Sequence, residues 1–547
     1  MINKKEIFPS KFQKEYSKSV AYFSMEFAID QALKTYSGGL GFLAGSHMRS
    51  AHELNQNLIG VGILWKFGYY EQQRNTDNSL RVFFREQMYS FLIDTEIRFQ
   101  INIKNRPVWV ATYYLPSNVF GSAPMFFMTT DTDGNDEWAR SISYHLYDKD
   151  PEIKAAQCML LGIGGATFLD KSSLLPEIYH FNEAHAVSAV FYFISQNQTL
   201  DQIKNKVVFT THTPEEAGNE KHDFGFLNNL GFFCGLNLNM VAELSAVRNN
   251  VFNHTLAALR FAKRANGVSK LHGEVSRQMW GKETGICKIG HITNAQNSKY
   301  WTDDILESFR KKGKAQEIAG RKKELKKELF KVVADQVGKI FDPEKLTIVW
   351  ARRFAAYKRP DLITRDIERF EKLMKTGKVQ IIWAGKPYPY DFGAIDTFNR
   401  LYYLSHLHKN MAVLTGYELA LSKLMKDGSD VWLNNPVVTR EASGTSGMTA
   451  AMNGSINLTT YDGWVCEFSN NENSFIAPVA KANNDYERDV LDMNNILDLI
   501  ENEIIPKYYD KPKKWNEMVL NSMNDVSPFF DSDRMADEYY KIMYNPK

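Results

Sequence analysis

Apolar and polar positions divide the chain into short strand-length runs separated by stretches with helical spacing. Residues 19–27 (SVAYFSMEF) and 58–65 (LIGVGILW) are continuous apolar runs that read as buried strands, with a helix expected over 46–54 between them. Residues 81–99 and 106–115 read as antiparallel strands, with alternation clearest in PVWVATYYL. An apolar helix is expected over 153–169, a strand over 178–182, a helix over 183–195 and a strand over 206–211. Helices at 240–244 and 253–265 follow, and then a charged helical region at 303–337. There Leu325 and Leu329 keep helical spacing among lysines, the pattern of a solvated helix face. In the second half, strands at 346–350, 379–384 and 411–414 alternate with helices from about Pro360 and at 419–426. Repeated strand–helix units imply a parallel, doubly wound sheet. From Asp489 onward the pattern is helical.

At 547 residues and 44% hydrophobic, the chain can bury large cores and should form two or more domains. A net charge of +2 gives no field that implies nucleic acid or a membrane surface. The apolar run at 186–194 is too short to span a bilayer, and the opening MINKKEIFPSKFQKEYSKS lacks a signal peptide's apolar core. Cys158, Cys234, Cys287 and Cys466 are widely spaced, as expected of reduced thiols in a cytoplasmic protein, and no metal-ligand pattern is present.

Two glycine-rich turns open helices. EASGTSGMTAAMNG (441–454) follows the extended segment DVWLNNP and offers backbone N–H groups at Ser443, Gly444, Thr445, Ser446 and Gly447. A short helix is expected from Met448 to about Met452, stopped by Asn453-Gly454. Strand, turn and helix N-terminus together make an anion pocket, because the N–H groups and the helix dipole favour negative charge. An ordinary strand-to-helix turn has the same spacing. YSGGLGFLAG (36–45) supplies a second turn at Gly38, Gly39 and Gly41, for which tight packing is the other reading. Arg353 and Lys358 follow the 346–350 strand, offering a planar fork and a compact charge to phosphate. Glu441 stands at the turn entrance, where it can bind sugar hydroxyls. His212 lies just past the 206–211 strand, where open α/β sheets bind ligands, and is the best candidate of the twelve histidines. His185, early in a helix, has a structural reading ahead of a catalytic one.

EASGTSGM…AAMNG resembles the cofactor loop of the α-glucan (glycogen, starch and maltodextrin) phosphorylases, in particular their short bacterial and archaeal branch. SMEF, YSGGLG, GVG and GYYEQ stand in that family's N-terminal order, and HFNEAHAVSAV, THT, ANGVSKLHGEV, ITN and ARRFAAYKR extend the likeness over nearly the whole chain. The resemblance implies an α/β chain of the GT-B kind, two Rossmann-like doubly wound domains facing across a cleft. Residues 1–293 would form the first, with inserted strands, and 294–520 the second, carrying the phosphate and cofactor loop. Residues 521–547 would be a helix returning to the first. It further implies that an α-1,4-glucan loses its terminal glucose to inorganic phosphate with retention, giving glucose 1-phosphate. Phosphate would protonate the glycosidic oxygen and then attack, with the phosphate of pyridoxal phosphate as its proton partner, unlike the two-carboxylate chemistry of hydrolases. By resemblance Arg353, Lys358, His212 and Glu441 are catalytic, while Gly38, Gly39, Gly41, His185, Asn294, Ser443, Gly444 and Thr445 bind substrate or phosphate. Expected partners are an α-glucan or oligosaccharide and phosphate, a sugar phosphate or a sugar nucleotide, with a homodimer left open.

The sequence departs from that family at two places. The family carries a lysine directly after the methionine of the loop, where it forms a Schiff base with pyridoxal phosphate; here the residue is Thr449. Ala295 and Asn297 replace the glycine and histidine of the family's ITNGVH-like segment. Three readings follow: a phosphorylase holding the cofactor without an imine or lacking it, a cofactor-independent glycosyltransferase with a sugar-nucleotide donor, and a non-catalytic glucan-binding or regulatory homologue.

Overall fold

A computed structural model describes residues 7–8, 11–215 and 218–545; part of the polar opening, and Glu216 in the segment after His212, lie outside them. The chain divides into two compact units, one of Met1–Tyr69, Phe84–Asn294 and Ser532–Lys547, the other of Tyr70–Phe83 and Ala295–Asp531.

The first unit holds a nine-stranded sheet. Its order across the sheet is Lys288–His291, Arg264–Gly267, Val207–Thr210, Ile178–Asn182, Val20–Phe23, Leu58–Ile63, Met125–Thr129, Arg106–Leu115 and Ile93–Ile103. The first seven run parallel and the last two are antiparallel. Strands such as Val20–Phe23 and Leu58–Ile63 are apolar throughout because both faces are covered. Ile93–Ile103 instead alternates buried and exposed positions at its inner end, as a strand with one open face does. The strand order reverses between Val20–Phe23 and Ile178–Asn182, so their carboxyl ends flank the switch point where open α/β sheets bind ligands.

Several expectations need correction here. The single strand expected at 81–99 is two: Leu80–Phe83 belongs to the second unit, and Ile93–Ile103 to this sheet. The helix expected at 253–265 ends at Phe261, and Arg264–Gly267 is a mostly buried strand, second from the sheet's edge. The helix expected at 46–54 is Gly39–Glu53, so Gly39 and Gly41 lie inside its first turn. Glycines are poor helix formers, which hid that start. At Gly41 and Gly45 the helix lies hard against neighbouring chain: a Cβ at Gly45 would stand 2.0 Å from the Ala28 carbonyl oxygen. The late helix Ser532–Glu538 packs on Gly39–Glu53, with the Ser50 and Ser532 hydroxyls 2.6 Å apart.

The second unit is built on six parallel strands ordered Met411–Leu414, Val379–Ala384, Leu346–Ala351, Val431–Asn434, Ile456–Thr460 and Ser474–Ala477. Numbered along the chain this is 3-2-1-4-5-6, the doubly wound order whose switch point lies between first and fourth strands. The antiparallel hairpin of Glu71–Arg74 and Leu80–Phe83 is contributed from far upstream. Gln72 donates to the Gly385 carbonyl at 2.9 Å and accepts from the Gly416 and Tyr417 N–H groups, so the hairpin covers the ends of the second and third strands. The charged stretch forms helices Asp304–Lys311 and Ala315–Val337. It is not solely a solvated face: Lys322 and Lys326 are buried, Lys326 pairing with Asp430 at 2.6 Å and Lys322 donating to the Asn453 carbonyl. Among the described residues, no helix is long and apolar enough to cross a membrane.

Gly45→Ala is expected to destabilise the protein by about 1–3 kcal/mol, because the added methyl meets backbone rather than a side chain that can swing aside. Gly320→Ala, on an exposed helix face with open space around it, is expected to stabilise by up to about 1 kcal/mol. Thermal melting of the two variants checks the pair; equal shifts would refute the close approach at Ala28.

Candidate functional site

At the second unit's switch point, the first strand runs into Arg352 and Arg353, and the fourth runs into the loop carrying Glu441. Arg352 is buried and donates from Nη2 to Glu441 Oε2 at 2.5 Å; Lys358, also buried, donates to the same oxygen at 2.7 Å. Burial alone would raise the Glu441 pKa, but Arg352 and Lys358 overcome it and hold the carboxyl at about 2, against an ordinary 4.5. Glu441 is therefore ionised at neutral pH and has no proton to give as a general acid. The pair of cations on one carboxylate leaves one net positive charge in a buried place.

That charge is aimed at more than Glu441. Arg352 Nη1 is buried without a hydrogen-bond partner among the described residues, and so is the Ser443 hydroxyl. Ser443 precedes Gly444, whose φ of +89° turns the chain into the helix Thr445–Met452. Helix N–H groups, an unpaired guanidinium nitrogen and an unpaired hydroxyl are the donors of a candidate anion site. The helix starts three residues before the expected Met448. Of the two neighbouring arginines, Arg352 meets Glu441, while Arg353 is exposed. Arg352 was missed by the sequence reading, and so was Asp462, a buried residue that accepts the Glu441 N–H at 2.9 Å.

Thr449 is fully buried, and its hydroxyl donates back to the Ser446 carbonyl of its own helix at 3.0 Å. An imine needs an amine at that position. The residues present therefore do not fit a covalently linked pyridoxal phosphate.

In the first unit, the switch point gathers a different set. The Glu26 carboxylate, just beyond Val20–Phe23, accepts the N–H groups of Ser37 at 2.7 Å and Gly38 at 3.1 Å, and the hydroxyls of Ser37 and Tyr147. The opening of the glycine turn thus already faces an anion from its own chain. A Cβ at Gly38 or Gly39 would meet nothing within 4 Å, whereas at Gly41 it would stand 2.6 Å from Tyr36 Cβ. Beyond Ile178–Asn182, Glu183 takes φ +70° and ψ 168°, a region almost reserved for glycine. Its carboxylate accepts the His212 N–H at 2.8 Å and the Thr213 hydroxyl at 3.2 Å. His212 Nε2 lies 2.6 Å from Asn182 Oδ1. Burial, with neighbouring His272 and His185, lowers His212 to about 3, and burial lowers His185 to about 4, so both stay neutral at physiological pH. His185 Nδ1 and the buried Asn294 Oδ1 have no hydrogen-bond partner among the described residues. Glu26 and Glu183 were not legible as site residues; the one signal for Glu183 is a charged residue directly after an apolar strand.

A model of the carbohydrate phosphorylase family matches residues 219–477. An uncharacterized protein of Methanocaldococcus jannaschii is 44% identical over 96% of this chain and 100% of its own length. A maltodextrin phosphorylase of Thermococcus litoralis is 31% identical over 97% of this chain and 71% of its own. A more distant match is a glycogen synthase of Protochlamydia amoebophila, 23% identical over 69% of this chain and 74% of its own.

Glu441→Gln removes the charge that partly neutralises Arg352 and Lys358. It is expected to lower the melting temperature in phosphate-free buffer, and inorganic phosphate should restore the variant by more than it stabilises the wild type. Because the folded pKa is depressed from 4.5 to about 2, the stability Glu441 supplies is complete above pH 4.5 and is lost as pH falls through about 2. Thermal melts with and without phosphate check this; an identical phosphate shift in both proteins would remove the anion site.

Proposed function

The chain belongs to the carbohydrate phosphorylase family, and on that premise we propose that it transfers a glucosyl unit between an α-1,4-glucan and phosphate, giving glucose 1-phosphate with retention. The observation that carries this reading is the buried positive charge of Arg352 and Lys358 over Glu441, beside the helix N-terminus at Gly444 and Thr445. Within the reading, the substrate phosphate protonates the glycosidic oxygen and attacks the anomeric carbon on the same face. Lys358 and Arg353, with Arg352, balance the phosphate charge as it develops. Glu441, ionised and twice paired, accepts hydrogen bonds from sugar hydroxyls and takes no part as nucleophile. Neutral His212, held by Glu183 and Asn182, contacts the sugar; His185, Asn294 and the Gly38–Gly41 turn are assigned to substrate. The GT-B arrangement and the domain limits 1–293, 294–520 and 521–547 belong to the same proposal, as does a homodimer.

No step is routed through pyridoxal phosphate, since Thr449 supplies no amine. That same residue favours a second reading, a sugar-nucleotide donor whose diphosphate takes the anion site, and the similarity to a glycogen synthase supports it.

The test is glucose 1-phosphate formation from maltodextrin and inorganic phosphate, with and without added pyridoxal phosphate. Phosphate-dependent product without the cofactor is expected, and Arg353→Ala is expected to lower kcat/KM at least about 100-fold with folding intact, since the side chain is exposed. No product in either tube, together with thermal stabilisation by a sugar nucleotide, would shift the assignment to the second reading.

A further inference from the structure

We propose that Asp462 is a positioning residue of the second unit's site: its carboxylate holds the 441–444 loop in the shape that sets Glu441 against Arg352 and Lys358. Asp462 lies just past the fifth strand, Ile456–Thr460, and is buried. Its Oδ2 accepts the Glu441 N–H at 2.9 Å and its Oδ1 accepts the Gly463 N–H at 2.9 Å. The next residue completes the grip, the Trp464 N–H donating to the Ser443 carbonyl at 2.9 Å. Gly463 has φ +62°, and a Cβ there would stand 2.3 Å from Ser443 O and 3.0 Å from Glu441 O. The turn after the fifth strand therefore lies backbone against backbone on the loop that leads from the fourth. Both Asp462 oxygens are spent on backbone N–H groups, so the residue acts through the loop and not on a ligand.

This grip titrates. Burial raises the Asp462 pKa; N–H bonds from Glu441, Gly463 and Thr439 pull it down, the Glu441 charge pushes it up, and the carboxyl settles at about 7. Glu441 is the charged group bearing on it, and that carboxylate is itself paired with Arg352 and Lys358. Below neutral pH the added proton displaces one of these N–H bonds, and the loop carrying Glu441 loosens. The catalytic part of the inference rests on the phosphate-dependent reading above; the grip itself does not.

Two measurements on the full chain separate these. The first is amide hydrogen exchange across residues 437–449 in wild type and Asp462→Asn. At about pH 8.5 the variant is expected to exchange about ten-fold faster there, and at about pH 5.5 the two should converge, because wild-type Asp462 is then protonated. Equal exchange at the higher pH overturns the proposal. The second is the pH profile of glucose 1-phosphate formation: wild-type kcat/KM is expected to fall on a limb near pH 7, with that limb missing in Asp462→Asn and kept in Asp462→Glu. An Asp462→Asn variant with faster exchange but an unchanged profile reduces Asp462 to a structural residue and overturns the positioning role. If the wild type shows no turnover, the phosphorylase reading fails, while exchange and stabilisation by inorganic phosphate still decide the grip.

Discussion

Two cations buried against one carboxylate are held because they share its charge, and the candidate site of the second unit follows from that arrangement. Desolvation alone would protonate Glu441; Arg352 and Lys358 instead keep it ionised. Removing Glu441 would leave two buried cations uncompensated, which proteins tolerate poorly. The remaining positive charge, with Arg352 Nη1 and the Ser443 hydroxyl unpaired, gives the cluster a preference for an anionic guest. The sheet supplies the geometry: because strand order reverses between Leu346–Ala351 and Val431–Asn434, the loops from these two adjacent strands wind away from each other and leave an opening at their carboxyl ends.

The first unit arranges its switch point by a different means. Its groups are neutral histidines, amides and two carboxylates taken up by N–H and hydroxyl donors of the same unit, and the backbone at Glu183 is strained. The carboxylate of Glu26 on the Ser37 and Gly38 amides shows how readily that glycine turn takes an anion.

Much of this was legible along the chain. The strands at 379–384 and 411–414 match residue for residue, because a parallel strand covered on both faces is mostly apolar and has few alternatives. The loop motif marked Glu441, Ser443, Gly444 and the absent amine at Thr449. The choice between Arg352 and Arg353 was not readable: consecutive residues past a strand point to opposite sides, and only the pleat decides which reaches Glu441. Lys322 and Lys326 sit in a lysine-rich helical pattern, yet their partners are a carbonyl and a carboxylate contributed more than a hundred residues away. Asp462 and Glu26 are acidic residues whose roles come from N–H and hydroxyl donors that only the fold brings to them. The strand Arg264–Gly267, with its arginine and asparagine, carries too little apolar character to be separated from the helix before it.

The pairing of Ser532–Glu538 with Gly39–Glu53 has a consequence for synthesis. The first unit draws on the opening of the chain and on residues 532–547, while the second takes the hairpin at Tyr70–Phe83 from the early part. A chain emerging from the ribosome in order therefore presents an early sheet whose covering helix has yet to be made, and a hairpin whose sheet has yet to be made. Neither unit can mature on its own schedule. The first unit waits for Ser532–Glu538 to be made, and a chain interrupted before Ser532 would lack that contact on the Gly39–Glu53 helix.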